Sequence, residues 1–290
     1  METPTKTPYK DVILGEGTPQ QVTMSLFESL GDYARLAGSN PKPSKSGSDQ
    51  EYSPKFNYTK SLGEAVELCQ HGWQEVRPDV DKLLGVLEER LTDAFGSYFV
   101  TEYQTSGAVV DMGRFVTGEP ECMMEFVQEP QARMGRVVKI VVNASVSWNI
   151  DQQLILNRGV AILALIDTIH KMGVGIELWW EESASASINF TNLVKLHDSS
   201  EPMDIDAIMF ALANPDMLRR LQFSVQEQHP LADKMGVGGG YGVPQNLWSV
   251  KHNFTDYDVV VEKLQNSNDE LASKPLEWVM STITGLGLVD

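Results

Sequence analysis

Arg136-Val-Val-Lys-Ile-Val-Val-Asn143-Ala-Ser145-Val-Ser147-Trp148 is the stretch that decides the fold. Val137 to Val142 is an almost uninterrupted apolar run, the pattern of a parallel strand covered on both faces. A polar triplet, Asn143, Ser145 and Ser147, closes it. From Leu154 to Met172 apolar residues then appear nearly all round (Leu154, Ile155, Val160, Ile162, Leu163, Leu165, Ile166, Ile169), which predicts a largely buried helix. Gly173 ends that helix, and Val174-Gly-Ile-Glu-Leu-Trp-Trp180 returns as a strand. Strand, helix and strand of these lengths make a right-handed crossover the default. The class is therefore α/β: a mostly parallel, Rossmann-like sheet flanked by helices.

Towards the carboxyl end, Asn189 to His197 reads as a hairpin partner of the preceding strand. Met203 to Ala213 is helical, with Ile205, Ile208, Met209 and Leu212 on one face. Pro215 breaks it, and Asn214 can cap a further turn to Leu221. Gln222 to Gln226 reads as a short strand and Gly236-Val-Gly-Gly-Gly-Tyr-Gly242 as a mobile loop. Asp258 to Lys263 is a last strand, and Pro275 to Gly285 a last helix.

Towards the amino end, residues 1–21 carry Pro4, Pro8 and Pro19 and read as a loose arm. Met24, Leu26, Phe27, Leu30, Tyr33 and Leu36 recur at helical spacing, predicting a helix from Gln21 to Ala37 that Gly38 stops. Gly38 to Pro54 is rich in Pro, Ser and Gly, the composition of a flexible linker. Ser61-Leu-Gly-Glu64 is a capping box opening a helix, and a second helix begins near Pro78 with the stripe Val80, Leu83, Leu84, Leu87 and Leu91. Ser97 to Glu102 and Gly107 to Asp111 read as a strand hairpin. A short helix from Gly113, a turn at Gly118 to Pro120 and another helical start follow. The reading divides the chain into an arm, helix and linker (1–58), a helical pair with a small α+β region (59–135), and the α/β domain (136–290).

The 290 residues carry 40 acidic and 23 basic side chains, a net charge of −17. So acidic a surface repels phosphate backbones and disfavours duplex binding. Two cysteines, Cys69 and Cys122, give neither a disulfide framework nor a metal quartet. Met1-Glu-Thr-Pro-Thr has no signal-peptide character, and no apolar run approaches 18 residues. A cytoplasmic protein is expected.

A strand that ends in acceptor-x-Ser-x-Ser at the mouth of a strand–helix–strand unit resembles the first metal loop of von Willebrand factor A-like domains. The likeness covers roughly Arg136 to Gly285. It implies that Asn143, Ser145 and Ser147 form that loop, that Ser199 or Ser200 stands at the threonine-bearing loop, and that Glu227 is the final acidic position. His197-Asp198-Ser199-Ser200 and Glu227-Gln228-His229 are accordingly expected at the same sheet edge. The implied cation is Mg²⁺ or Mn²⁺ at a weak site, because asparagine replaces the leading aspartate and Glu227 is longer than aspartate. Trp148, His197 and His229 are then candidate partner contacts, and the resemblance makes an ATPase one plausible protein partner. Glu64-Ala-Val-Glu with Gly72-Trp73, Val110-Asp-Met-Gly-Arg-Phe-Val-Thr-Gly-Glu-Pro120 and Leu218-Arg-Arg-Leu resemble an uncharacterised family of tailed-phage and actinobacterial proteins. That implies expression in a host cytoplasm and supplies no activity.

Other chemistry is thinly supported. The glycine run lacks Gly-Lys-Ser/Thr and leads into Pro244, so it is no phosphate loop. The five histidines show no His-x-x-x-His pairing. No Gly-x-Ser-x-Gly elbow appears. Glu181-Glu182 ends a strand and is expected to be solvated, while Asp204 and Asp206 suit a helix start. Trp148, Trp179, Trp180 and Trp248, with Arg219 and Arg220, could stack single-stranded nucleic acid. A non-enzymatic adaptor, docking a partner at the Asn143–Trp148 edge with or without a divalent cation, is the expected function. A single-stranded nucleic-acid binder serving viral replication or transcription is the alternative.

Overall fold

The computed structural model describes residues 9–14, 20–75, 77–78, 81–83, 85–86, 89, 99–106, 109–110, 112–128, 136–237, 240–251, 255–264 and 270–288. A mixed sheet organises it, in the order β1 (Tyr9–Leu14), β2 (Gln20–Phe27), β8 (Asn189–His197), β7 (Gly175–Ser185), β6 (Val137–Asn143) and β10 (Val259–Val261). β10 pairs in parallel with β6, β6 with β7, and β2 with β8, while β7–β8 and β1–β2 are antiparallel. The two residues of β9 (Val243–Pro244) pair with the end of β7. The class expected from sequence holds: an α/β protein whose mixed, mostly parallel sheet is flanked by helices.

Alternation along the strands sorts the two faces. Ile140, Val142, Trp180, Val194 and Phe27 face the principal core. There α1 (Leu30–Gly38), α4 (Gln152–Lys171), α5 (Ile205–Ala213) and α10 (Pro275–Gly285) cover the sheet. Met24, Val141, Trp179 and Leu193 face the other way, against Leu247, Trp248 and Tyr257. That second cover includes the single turn of α8 (Trp248–Lys251). Lys139, Glu177 and Lys195 also turn to this face and are half-buried, and Val137 is exposed. The strand expected to be buried on both faces is so only near its carboxyl end.

α4 is long and apolar enough to pass for a membrane span by composition, yet it is the central core helix, with eleven of its twenty residues buried. Asp151 caps it by accepting from the Gln153 amide. Gly159 marks its closest approach to α5: a Cβ there would lie 2.4 Å from Ala213 Cα. In α2 (Leu62–His71) the Ser61 hydroxyl accepts from the Glu64 amide as expected, while the Glu64 carboxylate takes the Lys60 amide.

Several elements differ from their sequence reading. Gln21 to Ala37 is not one helix. Its first part is β2, in which Met24 and Leu26 alternate with Thr23, Ser25 and Phe27, and Ser29 caps α1. A period of two served the burial better than the helical spacing shared by the same residues. β3 (Phe99–Gln104) and β4 (Val109–Val110) do not pair with each other. Both flank β5 (Met123–Gln128), where a helical start was expected, and α3 (Met112–Thr117) precedes it. Gln222 to Gln226 is not a strand: a π-helical turn (Met217–Gln222) runs into α6 (Phe223–Glu227). Most of the helix expected from Pro78 lies outside the described residues.

Candidate functional site: the carboxyl edge of the sheet

Asn143 ends β6 with no exposed surface. Its Oδ1 accepts from the Ser145 amide at 2.9 Å and its Nδ2 donates to the Gln245 carbonyl at 3.0 Å. The Ser145 hydroxyl donates to the Ser183 carbonyl and accepts from the Ser183 amide, both at 2.9 Å. Both side chains therefore knit the end of β6 to β7 and the following loop. Ser147 is half-buried, and its carbonyl accepts from the Ile150 amide. Trp148 is the opposite case, 82% exposed at the turn before α4.

The loops expected to join this edge do not all do so. β8 runs antiparallel to β7, so His197 pairs with Leu178 at the far end of the sheet. A Cβ on Gly175 would touch Ser199 there, at 3.2 Å. Asp198 accepts from the Ser200 amide and hydroxyl and from Lys195, which holds its carboxyl at about 2. Ser199, Ser200 and His197 thus belong to a capping turn remote from Asn143; burial lowers the His197 pKa.

Glu227 and His229 lie elsewhere again. Thr23 of β2 bonds His229 Nε2 at 3.1 Å, and the Leu231 amide donates to His229 Nδ1. Glu227 accepts from Asn40 Nδ2, the Ser44 and Ser48 amides, the Ser48 hydroxyl and the Tyr241 hydroxyl. The segment read as a flexible linker is therefore an ordered strap. Further along, Asp216 takes the Tyr58 and Thr59 amides and the Thr59 hydroxyl. Arg219 donates to the carbonyls of Phe56 and Ile150, and Arg220 to those of Ser48 and Thr59. Both guanidiniums are buried, at 1% and 0% exposure. Burial pushes the Arg219 pKa down to about 10. Tyr241 stacks on Phe223 at 3.7 Å, which anchors the glycine-rich stretch expected to be mobile at that residue.

Besides the Gln245 segment that bonds Asn143, loops after α5 and β10 approach the β6 loop. They surround a small pocket of about 30 Å³, lined by Ala144 and Val146 from the β6 loop, Asn214, Pro215 and Leu218 after α5, and Leu264 after β10. Trp180, Ile155 and Ile162 contribute to its walls, and Arg158 is the charged residue among its lining. Arg158 lies on α4, 5% exposed. Its Nη1 donates to the Asn143 carbonyl at 3.0 Å and its Nη2 to the Glu262 carbonyl, joining the ends of two adjacent parallel strands. A lone arginine inside the apolar run of α4 is the sequence signal for it.

These residues do not fit a hard divalent cation. The Asn143 and Ser145 oxygens are turned onto backbone groups, and a fixed guanidinium stands among the loops. Among the described residues no three His, Cys, Asp or Glu side chains converge as a metal site.

Glu181 and Glu182, expected in solvent, are buried on opposite faces of β7. Glu181 accepts from the amides of Trp248 and Ser249 and from the hydroxyls of Ser249 and Ser183. Glu182 accepts from Gln222 Nε2 at 2.6 Å and Asn192 Nδ2 at 3.4 Å, and Tyr33 donates to Gln222 Oε1 at 2.8 Å. Burial raises both carboxyl pKa values, that of Glu182 to about 8. Glu182 is therefore chiefly protonated at neutral pH.

Fold and edge define an α/β protein whose sheet ends in an apolar-lined rim where Arg158 bridges the ends of β6 and β10. Within that class, the chain belongs to the family described as a domain of unknown function, DUF7192, whose model matches residues 6–289. No curated protein and no solved structure matches it.

Proposed function

We propose that this protein is a non-enzymatic interaction protein that docks a protein partner at the Asn143–Trp148 edge. The carrying observation is Trp148, 82% exposed where the loops of the carboxyl edge gather. A large aromatic side chain in that position is the type of residue that dominates binding energy at interfaces. In this reading the sheet is A-domain-like: β6, α4 and β7 are followed by antiparallel β8, and β10 returns on the other side of β6. Docking does not depend on a divalent cation, because the loop's polar groups are spent on the backbone and Arg158 supplies the positive charge. The protein acts in the cytoplasm of a host cell, with an ATPase among the candidate partners.

Nucleic-acid binding is the weaker reading. Trp179, Trp180, Arg219 and Arg220 are all buried, which leaves Trp148 exposed without the two arginines that reading paired with it. The test is affinity capture of tagged protein from its native host, with Trp148→Ala beside a control at another exposed apolar residue, Val243→Ala. A partner retained by the control, lost from Trp148→Ala and indifferent to EDTA supports docking. Recovery of nuclease-sensitive single strands by both variants contradicts it.

A further inference from the structure

α3 is built inside out, and we propose that its outer face docks a basic amphipathic helix of a partner protein, at a surface separate from Trp148. A surface helix ordinarily turns its apolar side chains to the sheet and its charged ones to water. Here the reverse holds. Arg114 turns inward, its guanidinium 3.5 Å from the ring centroid of Tyr103 on β3. At about 100° per residue, Met112 and Val116 then point the opposite way, with Phe115 beside them. Met112 is 64% exposed, Val116 77% and Phe115 59%. Apolar side chains scattered singly over a surface need no explanation, but a contiguous set marks an interaction site. Among the described residues, α3 is the one element that carries three large exposed apolar side chains.

The charge around this face selects its occupant. Phe99 to Gln128 contains the acids Glu102, Asp111, Glu119, Glu121 and Glu125 against a single base, Arg114. That base is committed: besides stacking on Tyr103, it pairs with Glu119 at 3.6 Å and donates to the Glu121 carbonyl at 3.3 Å. The Gly118 amide donates to the Phe115 carbonyl and the Glu119 amide to the Arg114 carbonyl, so the chain folds back where α3 ends. Glu119 and Glu121, both exposed, follow that turn at the carboxyl end of the patch. An apolar face bordered by acids complements a helix that offers aliphatic anchors one turn apart and Lys or Arg along its flank. A second copy of this chain brings the same acids within a net charge of −17 and meets repulsion. An anionic lipid surface is repelled for the same reason.

A synthetic leucine–lysine amphipathic helix carrying a fluorophore serves as the probe, and a leucine–glutamate helix of the same pattern as its control. Anisotropy titrations at physiological salt use the full chain and three variants of it. Phe115→Gln/Val116→Gln keeps the charge and removes the apolar face, Glu119→Gln/Glu121→Gln does the converse, and Trp148→Ala reports on the other edge. The lysine helix is expected to bind the full chain at least tenfold more tightly than the glutamate helix. Phe115→Gln/Val116→Gln should weaken that binding at least tenfold and Glu119→Gln/Glu121→Gln several-fold, both with native circular dichroism, while Trp148→Ala leaves it unchanged. Absence of binding, or binding that survives Phe115→Gln/Val116→Gln at full strength, would overturn the proposal. Self-association in sedimentation, or binding to phosphatidylcholine–phosphatidylglycerol vesicles, abolished by that same variant would overturn it in favour of a second copy or of lipid. Loss of the peptide from Trp148→Ala alone would overturn it too, by moving the contact to the docking edge.

Discussion

Glu182 shows at the scale of one residue how burial reverses a sequence expectation. Two adjacent acids at the end of an apolar strand look solvated, but β7 runs on to Ser185, so each is carried into a covered face. The partners that keep it there, Asn192 and Gln222, come from β8 and the π-helical turn, and both bond Glu182. With its pKa raised from 4.5 to about 8, the folded chain holds this proton where the unfolded chain has lost it. The contribution of Glu182 to stability is therefore full below about 4.5, falls as pH rises towards 8 and levels off above. At pH 7 the deficit is on the order of 3 kcal/mol. Glu182→Gln, which mimics the protonated acid, should raise the urea midpoint at pH 7 and flatten its decline between pH 5 and pH 8. A decline as steep as that of the wild type would refute this assignment. Glu181 and Asp216, also raised by burial, keep part of the slope in the variant. Trp148→Ala, by contrast, should leave stability within about 0.5 kcal/mol, measured by the same titration, because the side chain packs on little.

At the scale of the element, the strap and the α4–α5 contact carry the most specific expectations. Pro, Ser and Gly between residues 38 and 54 describe a chain that makes no helix or strand, and that much was legible. Its order was not, because it is imposed from about 170 residues away, by Asp216, Arg219, Arg220 and Glu227. Arg219 and Arg220 sit on the π-helical turn, a form often found at functional sites, with Asp216 just before it and Glu227 at the end of α6. Glu227→Ala leaves the donors of Asn40, Ser44, Ser48 and Tyr241 without their acceptor. It should cost about 2–4 kcal/mol and expose the strap to limited proteolysis; cleavage no faster than in the wild type would contradict the clamp. Gly159→Ala forces a methyl to 2.4 Å from Ala213 and should destabilise by about 1–3 kcal/mol in thermal or urea unfolding. The β6–α4–β7 unit was legible because its apolar runs are long and flanked by clear stops. β2 was not, since Met24, Leu26 and Phe27 satisfy helical and strand spacing alike, and only pairing with β8 decides between them.

For the whole molecule, the direction of β8 decides which loops share a site. An antiparallel β8 sends His197, Ser199 and Ser200 to the opposite end of the sheet from Asn143, and no feature of their local sequence reveals it. The edge that remains is built from the ends of β6 and β10 with the turn after α5, and Arg158 sits among them. The fold class and the location of the edge could be read from the chain. The contents of the edge could not, because Arg158 and Asn214 reach it from a helix and a turn that the strand motif does not include. The acidic surface sets a global condition as well: a steered encounter with a basic partner should slow as salt rises, with little change in dissociation. Association rates of the captured complex at low and high ionic strength check this, and a salt-independent rate would contradict it. The central claim, that Trp148 is where the partner docks, is tested most directly by site-specific photocrosslinking in the native host. Trp148→p-benzoylphenylalanine is predicted to give a discrete protein adduct that the same replacement of Val243 does not. Equal adducts from both positions, or an adduct from Val243 alone, would contradict it.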